Sequence, residues 1–391
     1  MSVRRNLWLL TLCQGLFLTN NVSFIAINGL VGLSLAPHAW LATVPVMSYV
    51  VGGALSTGLV ARTQRRHGRR VSFQLGLAVA FVSALACAAA VLVHSFWLLC
   101  AATVVAGYYS ANGTLYRFAA AELAPPDWRE KAVSLVMAGG LIGAVIGPNL
   151  AAQTRQWFAA PYVGVYVALA GVALLSALFM RFIEFPPPPA LHAGGGRPLS
   201  QIARQPTFIV AAAVGALSYG VMNLLMAATP LAMQVCSMPF EDVAWVLEWH
   251  VIGMFAPGFF TGHLIRRYGA PAVMACGLLL NFICVAVALS GVQLHHFLVA
   301  LFMLGVGWNF LFTGSTTMSL SSYAPEEKDR AQAALNFCVF ATLALTSLAS
   351  GALVTTQGWQ WLNLGSLLPL AVMGVLLLWL VRARGSLQVA G

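Results

Sequence analysis

Apolar stretches of about twenty residues or more, each long enough for a helix to cross ~30 Å of hydrocarbon, follow one another along almost the whole chain. They fall at 6–35, 38–61, 71–93, 95–121, 131–154 and 160–182, and after a break at 207–235, 243–265, 271–292, 296–322, 331–355 and 359–381. A span plus its loop takes roughly 30 to 33 residues, so a chain of 391 has room for about twelve. Helices are the expected form, because lipid offers backbone groups no partner and the alternation of a membrane barrel is absent. Only 8% of residues are charged and 60% are hydrophobic. A water-soluble enzyme of this length needs far more charge to cover its surface, and a disordered chain far less apolar content. The first stretch, preceded by Arg4 and Arg5, has the start of a secretory signal peptide. It is too long for one and lacks an A-x-A-like site, so it reads as the first membrane helix.

The formal net charge of +10 is compatible with nucleic-acid binding, but the basic residues sit in short clusters between spans, which membrane topology explains better. With both termini cytoplasmic, the inside loops hold Arg62, Arg65, Arg66, Arg69, Arg70, Arg129, Lys131, Arg266, Arg267, Lys328 and Arg330. The tails, the end of the sixth span and the central linker add Arg4, Arg5, Arg181, Arg197, Arg204, Arg382 and Arg384. Of twenty basic residues only Arg155 falls outside and only Arg117 within a span. The chain is thus expected to be multi-pass in a bacterial inner membrane, with the lipid bilayer as its surroundings and no nucleic-acid partner.

Glu184-Phe185, Pro186 to Pro189, Gly194 to Gly196 and Arg197-Pro198 form a stretch of different texture, extended by proline and loosened by glycine. It reads as a cytoplasmic linker, residues 184–206, between an N-terminal bundle at 1–183 and a C-terminal bundle at 207–391. A repeat supports the division. Arg65-Arg66-His67-Gly68 recurs as Arg266-Arg267-Tyr268-Gly269; Gly107, Ala124 and Pro125 recur as Gly307, Ala324 and Pro325; Lys131-Ala132 answers to Arg330-Ala331. The expected fold is an all-α membrane protein of twelve transmembrane helices in two pseudo-symmetric six-helix bundles. Parallel repeats of this kind mark secondary transporters that bind solute between the halves.

On these features the sequence resembles the major facilitator superfamily over its whole length. The family's loop signature, G-x-x-x-D-R-x-G-R-R, is matched by Gly58, Arg65, Arg66, Gly68, Arg69 and Arg70 with stretched spacing and with Arg65 where Asp is expected. Gly139-Gly140, Gly143, Gly147 and Pro148 look like its antiporter motif; close packing of two helices explains the same small residues. Tyr116 to Glu122 followed by Ala124-Pro125 resembles a subgroup of bacterial efflux permeases, some relatives of which are assigned to vitamin uptake, riboflavin in particular. The resemblance implies a transporter, not an enzyme, working by alternating access.

No phosphate-cradling G-x-x-x-x-G-K-[ST] loop is present, so a gradient is the expected energy source. The seven cysteines are dispersed packers, no metal set is visible, and no cofactor is expected. The paired His295-His296 is read as exposed loop histidines rather than a metal site.

Polar residues inside the spans carry the candidate chemistry. Asn21, Asn112, Asn223 and Asn309 fall near the middle of spans one, four, seven and ten. The family resemblance implies that these spans line the cavity. Gln14, Tyr109, Tyr116, Tyr219, Trp308 and Thr313 extend the set along the same helices, which suits a polar, weakly charged aromatic solute. Interhelical hydrogen bonding is the alternative role for each amide. Glu248, close to His250, is the expected proton carrier, with an interfacial carboxylate as its alternative. Arg117 needs a partner, for which Glu122, a backbone carbonyl or an anionic part of the substrate are the options. Proton-linked efflux of an aromatic or heterocyclic solute by a monomer is the first expectation, with uptake of a nutrient such as riboflavin second. A membrane-embedded enzyme and a non-transporting sensor are the readings from other classes.

Overall fold

The computed structural model describes residues 3–125, 128–185, 197–324 and 327–389, and the regular structure among them is helical throughout. Pro186 to Pro189, His192, Gly194 to Gly196, Asp127, Pro325 and Glu326 lie outside the described residues. The first half contains α1 (Val3–Leu35), α2 (Val44–Leu92), α3 (Phe96–Gly113), α4 (Tyr116–Leu123), α5 (Arg129–Ala138), α6 (Gly140–Thr154) and α7 (Val163–Arg181). After the single turn α8 (Leu199–Ile202) come α9 (Pro206–Val235), α10 (Phe240–Phe255), α11 (Gly258–Tyr268), α12 (Ala270–Ser290), α13 (Leu294–Ser319), α14 (Lys328–Thr356) and α15 (Gly358–Val389).

Among the described residues nine helical segments are long and apolar enough to span a membrane, and α10 with α11, bent by 40°, makes a tenth. The 49 residues of α2 measure ~74 Å at the helical rise, which is two crossings, and its helix is broken at Gly68. Counting α2 twice, and α3 with α4 once, gives the twelve spans that the hydropathy pattern implies.

The duplication is visible in the backbone. Gly68 has φ 81° and ψ 170°, and Gly269, at the matching place between α11 and α12, has φ 82° and ψ 153°. Only glycine takes these angles without strain, and each lets two spans meet with almost no loop. The crossings match as well, although the residue that answers to Gly107 is Gly305 and not Gly307, which lies against Gly277 of α12. Gly107 in α3 lies against the backbone of Gly52 and Gly53, and Gly305 in α13 against that of His250 and Gly253. A Cβ at either position would collide with the neighbouring main chain.

Within the first half α1 packs on α6 and α7, and within the second α9 packs on α13 and α14. The halves meet through α6 with α10, α2 with α14, and α1 with α9. The fifth-span glycines belong to the α1 contact. A Cβ on Gly143 would lie 2.5 Å from the Leu18 Cβ, and one on Gly147 would lie 3.1 Å from the Thr19 carbonyl oxygen. Pro148 sits inside α6 without ending it, and the preceding carbonyl, of Gly147, accepts from the Ser23 hydroxyl at 2.8 Å.

Candidate functional site

Among the described residues the hydrogen bonds between the halves lie toward the end away from the Gly68 and Gly269 turns. There Arg155, just past α6, pairs with Glu241 at 3.0 Å and lies over the Phe240 ring. Asn149 in α6 donates to Glu248 in α10 at 2.8 Å, and the Gly351 amide of α14 donates to Thr43 at 3.0 Å. The Asn149–Glu248 and Arg155–Glu241 contacts therefore stand on one seam, about two helical turns apart.

On the other side of mid-depth, α4, α9, α13 and α14 enclose a cavity of about 200 Å³. Arg117 and Phe118 contribute from the first half, and Phe312, Ser315, Thr316 and Asn336 from the second. The helix is interrupted between Gly113 and Tyr116, and α4 restarts so that Arg117 points into this space. Its guanidinium lies 4.8 Å from the Phe118 ring centroid, while its buried Nε has no hydrogen-bond partner. None of the ion pairs among the described residues uses Arg117.

An aromatic wall adjoins the cation. Trp308 and Phe312, one turn apart on α13, are stacked at 5.2 Å with their planes 9° apart. Tyr219 sets its edge against both, at 5.1 and 5.2 Å. Phe255 closes the far side of Trp308 at 6.4 Å. The Trp308 Nε1 has no hydrogen-bond partner. Thr313 lies half-buried on the next position of α13, its carbonyl accepting from Thr317.

The four midplane amides are placed differently from this wall. Asn112 accepts from Ser72 at 2.8 Å and donates to the Tyr108 carbonyl. Asn223 donates to Leu343, Thr346 and Ser347 of α14 at 3.3, 3.0 and 2.9 Å. Asn309 donates to the Met254 carbonyl and accepts from Thr261, both at 2.7 Å. Asn21, half-buried, donates to the Tyr49 hydroxyl at 3.1 Å. Each is engaged with a neighbouring helix, the lower-energy outcome for an amide in an apolar surrounding. Tyr109 and Tyr116 are buried in the core of the first half, edge-on to Phe17, with Phe73 against Tyr116 at 4.9 Å. Gln14 is buried on α1. Of the residues expected around one chamber, Tyr219 and Trp308 stand with Phe312 on the aromatic wall, the amides hydrogen-bond between helices, and the α3–α4 phenols lie in the core of the first half.

The gating candidates are re-partnered. Glu122 pairs with Arg69, not with Arg117, because the turn at Gly68 carries the Arg69 guanidinium to the end of α4. Arg70 donates to the Arg181 carbonyl at the end of α7. The loop thus keeps a charge latch although Arg65 replaces the signature's Asp. Arg65 and Arg66 are exposed, and Gly58 has no atom within 4 Å of where a Cβ would stand. Glu248 and His250, two residues apart, face different neighbours: Glu248 meets Asn149, and the buried His250 places Nδ1 2.6 Å from the Leu301 carbonyl oxygen. They do not form a pair.

Sequence reasoning missed Phe312, Ser315, Asn336, Asn149 and Tyr49. Phe312 was findable as the residue one turn beyond Trp308, and Asn149 as the amide following Gly147-Pro148. Nothing local marks the other three. Among the described residues no three His, Cys, Asp or Glu side chains are grouped as metal ligands would be.

The family model of the Major Facilitator Superfamily matches residues 7–247 and 211–389. The chain belongs to this superfamily. It is a multi-pass membrane transporter. The riboflavin transporter RfnT of Brucella anthropi is 38% identical over 367 residues, covering 93% of this chain and 92% of that one. The uncharacterised MFS-type transporter YddS of Bacillus subtilis is 26% identical, covering 84% and 79%. Among solved structures, an inward-facing, unoccupied bacterial homologue of the human lysosomal transporter Spinster superposes with a TM-score of 0.74 at 14% identity, with 96% of each chain covered. The nucleoside transporter NupG gives 0.74 at 13% identity, covering 95% of this chain and 98% of its own. At that identity the structural likenesses speak for the fold alone.

Proposed function

We propose that this protein is a carrier, with no enzymatic step, for a planar heterocyclic solute of the riboflavin class. The observation that carries this reading is the cavity between the halves, lined by the Arg117 cation and by the Phe118 and Phe312 rings, with Phe312 backed by Trp308. Such a site stacks a flat ring system and hydrogen-bonds its edge. The 38% identity to a riboflavin transporter along nearly the whole chain supports the same class.

Residues 1–183 and 207–391 act as the two bodies that rock about this cavity, joined by the 184–206 linker. In the bacterial inner membrane with both termini cytoplasmic, the Gly68 and Gly269 turns face the cytoplasm. The cavity then opens inward while the Arg155–Glu241 seam is shut outside. The transporter works as a monomer and draws on the proton gradient, with Glu248 as the proton-carrying group on the seam. Sequence features alone favour efflux, through the glycine series ending in Pro148. Packing against α1 accounts for those glycines, so they carry no weight on direction, and uptake is the direction proposed.

Cells lacking their own flavin uptake and expressing this protein should accumulate labelled riboflavin above the empty-vector level, and lose the accumulation when the proton gradient is collapsed. Depletion of preloaded riboflavin would reverse the direction. No flux either way would overturn the substrate class.

A further inference from the structure

The cavity is chemically uneven: Tyr323, Gln332 and Asn336 can both donate and accept, whereas two other parts of its lining are one-sided. One side offers hydrogen-bond donors: the Arg117 Nε lies buried without an acceptor, and no carboxylate lines the space. The other side is the row Ser315, Thr316 and Ser319 on α13. Each of these hydroxyls has already given its hydrogen to a main-chain oxygen: Ser315 to Ala211 at 2.9 Å, Thr316 to Phe312 at 2.8 Å, and Ser319 to Thr316 at 2.7 Å. A hydroxyl has one hydrogen and two lone pairs, so in this arrangement the row presents lone pairs to the cavity. The flat Phe312 ring, stacked on Trp308, lines the same cavity one turn before this row on α13.

We propose that this asymmetry selects and orients the solute. Arg117 takes the acceptor edge of a planar heterocycle, two carbonyl-type oxygens or a carbonyl and a ring nitrogen, and the Ser315–Thr316–Ser319 row takes a hydroxyl-bearing side chain. A buried Nε left without an acceptor is costly, so a ligand that supplies one gains more than a solvent-exposed contact would give. The planar fork of arginine suits paired acceptors on one edge, which a lysine ammonium does not reproduce. The reverse orientation would set carbonyls against lone pairs and leave Arg117 unmet. This inference rests on the riboflavin-class reading, since riboflavin carries a dioxo edge at one end and a polyhydroxyl chain at the other.

The test is a two-by-two comparison by tryptophan fluorescence quenching on the purified full-length protein. The ligands are riboflavin and lumichrome, which has the dioxo ring system without the hydroxyl chain. The variants are Arg117→Gln and Thr316→Val, with Arg117→Lys as a shape control. Arg117→Gln and Arg117→Lys should weaken both ligands by about tenfold or more, the usual loss for a charge-assisted hydrogen bond. Thr316→Val should weaken riboflavin by about fivefold and leave lumichrome unchanged. Equal riboflavin affinity in wild type and Arg117→Gln overturns the inference while the substrate class stands, as does an equal loss of both ligands in Thr316→Val. No riboflavin binding by the wild type overturns the substrate class, and this inference with it.

Discussion

Arg69 grips Glu122 with Nε on one carboxylate oxygen and Nη2 on the other, tying the turn at Gly68 to the last turn of α4. The same α4 carries Arg117 one and a half turns earlier, so the latch fixes the helix that presents the cavity's cation. The pair is partly exposed, and two-pronged geometry places it at the upper end of such contacts, about 1 kcal/mol. Glu122→Gln and Arg69→Gln should each lower thermal stability in detergent by about that amount, with the double variant no worse than either single. Fully additive losses would show that the two side chains do not act on each other.

Much of this was legible beforehand and some was not. Twelve spans, their repeat and the basic turns are properties of hydropathy and charge along the chain, and such one-dimensional signals survive folding. The partner of Arg69 is a property of three dimensions. Glu122 lies 53 positions away, and it is as close in sequence to Arg117 as to any loop cation. The amides illustrate the same limit. Their depth was readable, but which face they turn to the neighbouring helix depends on rotations that hydropathy does not encode. Phe312 and Trp308 meet because they share a helical face, and periodicity alone would have paired them.

The seam opposite the basic turns must open if the carrier is to face the other side. Arg155→Ala removes both the ion pair to Glu241 and the contact over Phe240. Spin labels at the exposed Trp157 and Trp245, one on each side of that seam, should then show a larger population at long distance. A distance distribution identical to the parent's would mean that the clasp does not bias the two states.

Glu248 can be tested without breaking the seam. Glu248→Gln keeps an oxygen able to accept from Asn149, yet cannot take up a proton. Riboflavin flux in this variant should persist down a concentration gradient and no longer respond to a pH gradient. Undiminished response to the pH gradient removes Glu248 from coupling.

Arg197 and the Ala324 amide hold the Glu327 carboxyl down to about 2 from its usual 4.5, the Arg197 hydrogen bonds being the larger cause. This joins the end of the linker to the start of α14. A carboxyl depressed in the folded state contributes stability that is fully present above pH 4.5 and is lost as pH falls toward 2. The melting temperature of the wild type should therefore drop across that window more steeply than that of Glu327→Gln. Parallel curves for the two proteins would dispose of the linkage.

The amides offer the sharpest separation of packing from binding. Asn309 sits where α10, α11 and α13 converge, and its loss strands the Met254 carbonyl, while the Thr261 hydroxyl keeps the Pro257 carbonyl as acceptor. Asn112 likewise joins α3 to the Ser72 hydroxyl of α2. Hydrogen bonds between membrane helices average about 0.6 kcal/mol and reach ~1.7, and Asn309 makes two. Asn309→Ala should thus cost about 1 to 3 kcal/mol of stability and Asn112→Ala, with one such bond, about 0.6 to 1.7 kcal/mol, while riboflavin affinity in the fraction that remains folded stays at the parent value. Arg117→Gln should behave in the opposite sense, losing affinity with little loss of stability, because its Nε satisfies nothing within the protein. If the asparagine variants lose affinity at unchanged stability, the solute reaches deeper than the Arg117 cavity and touches the amides themselves.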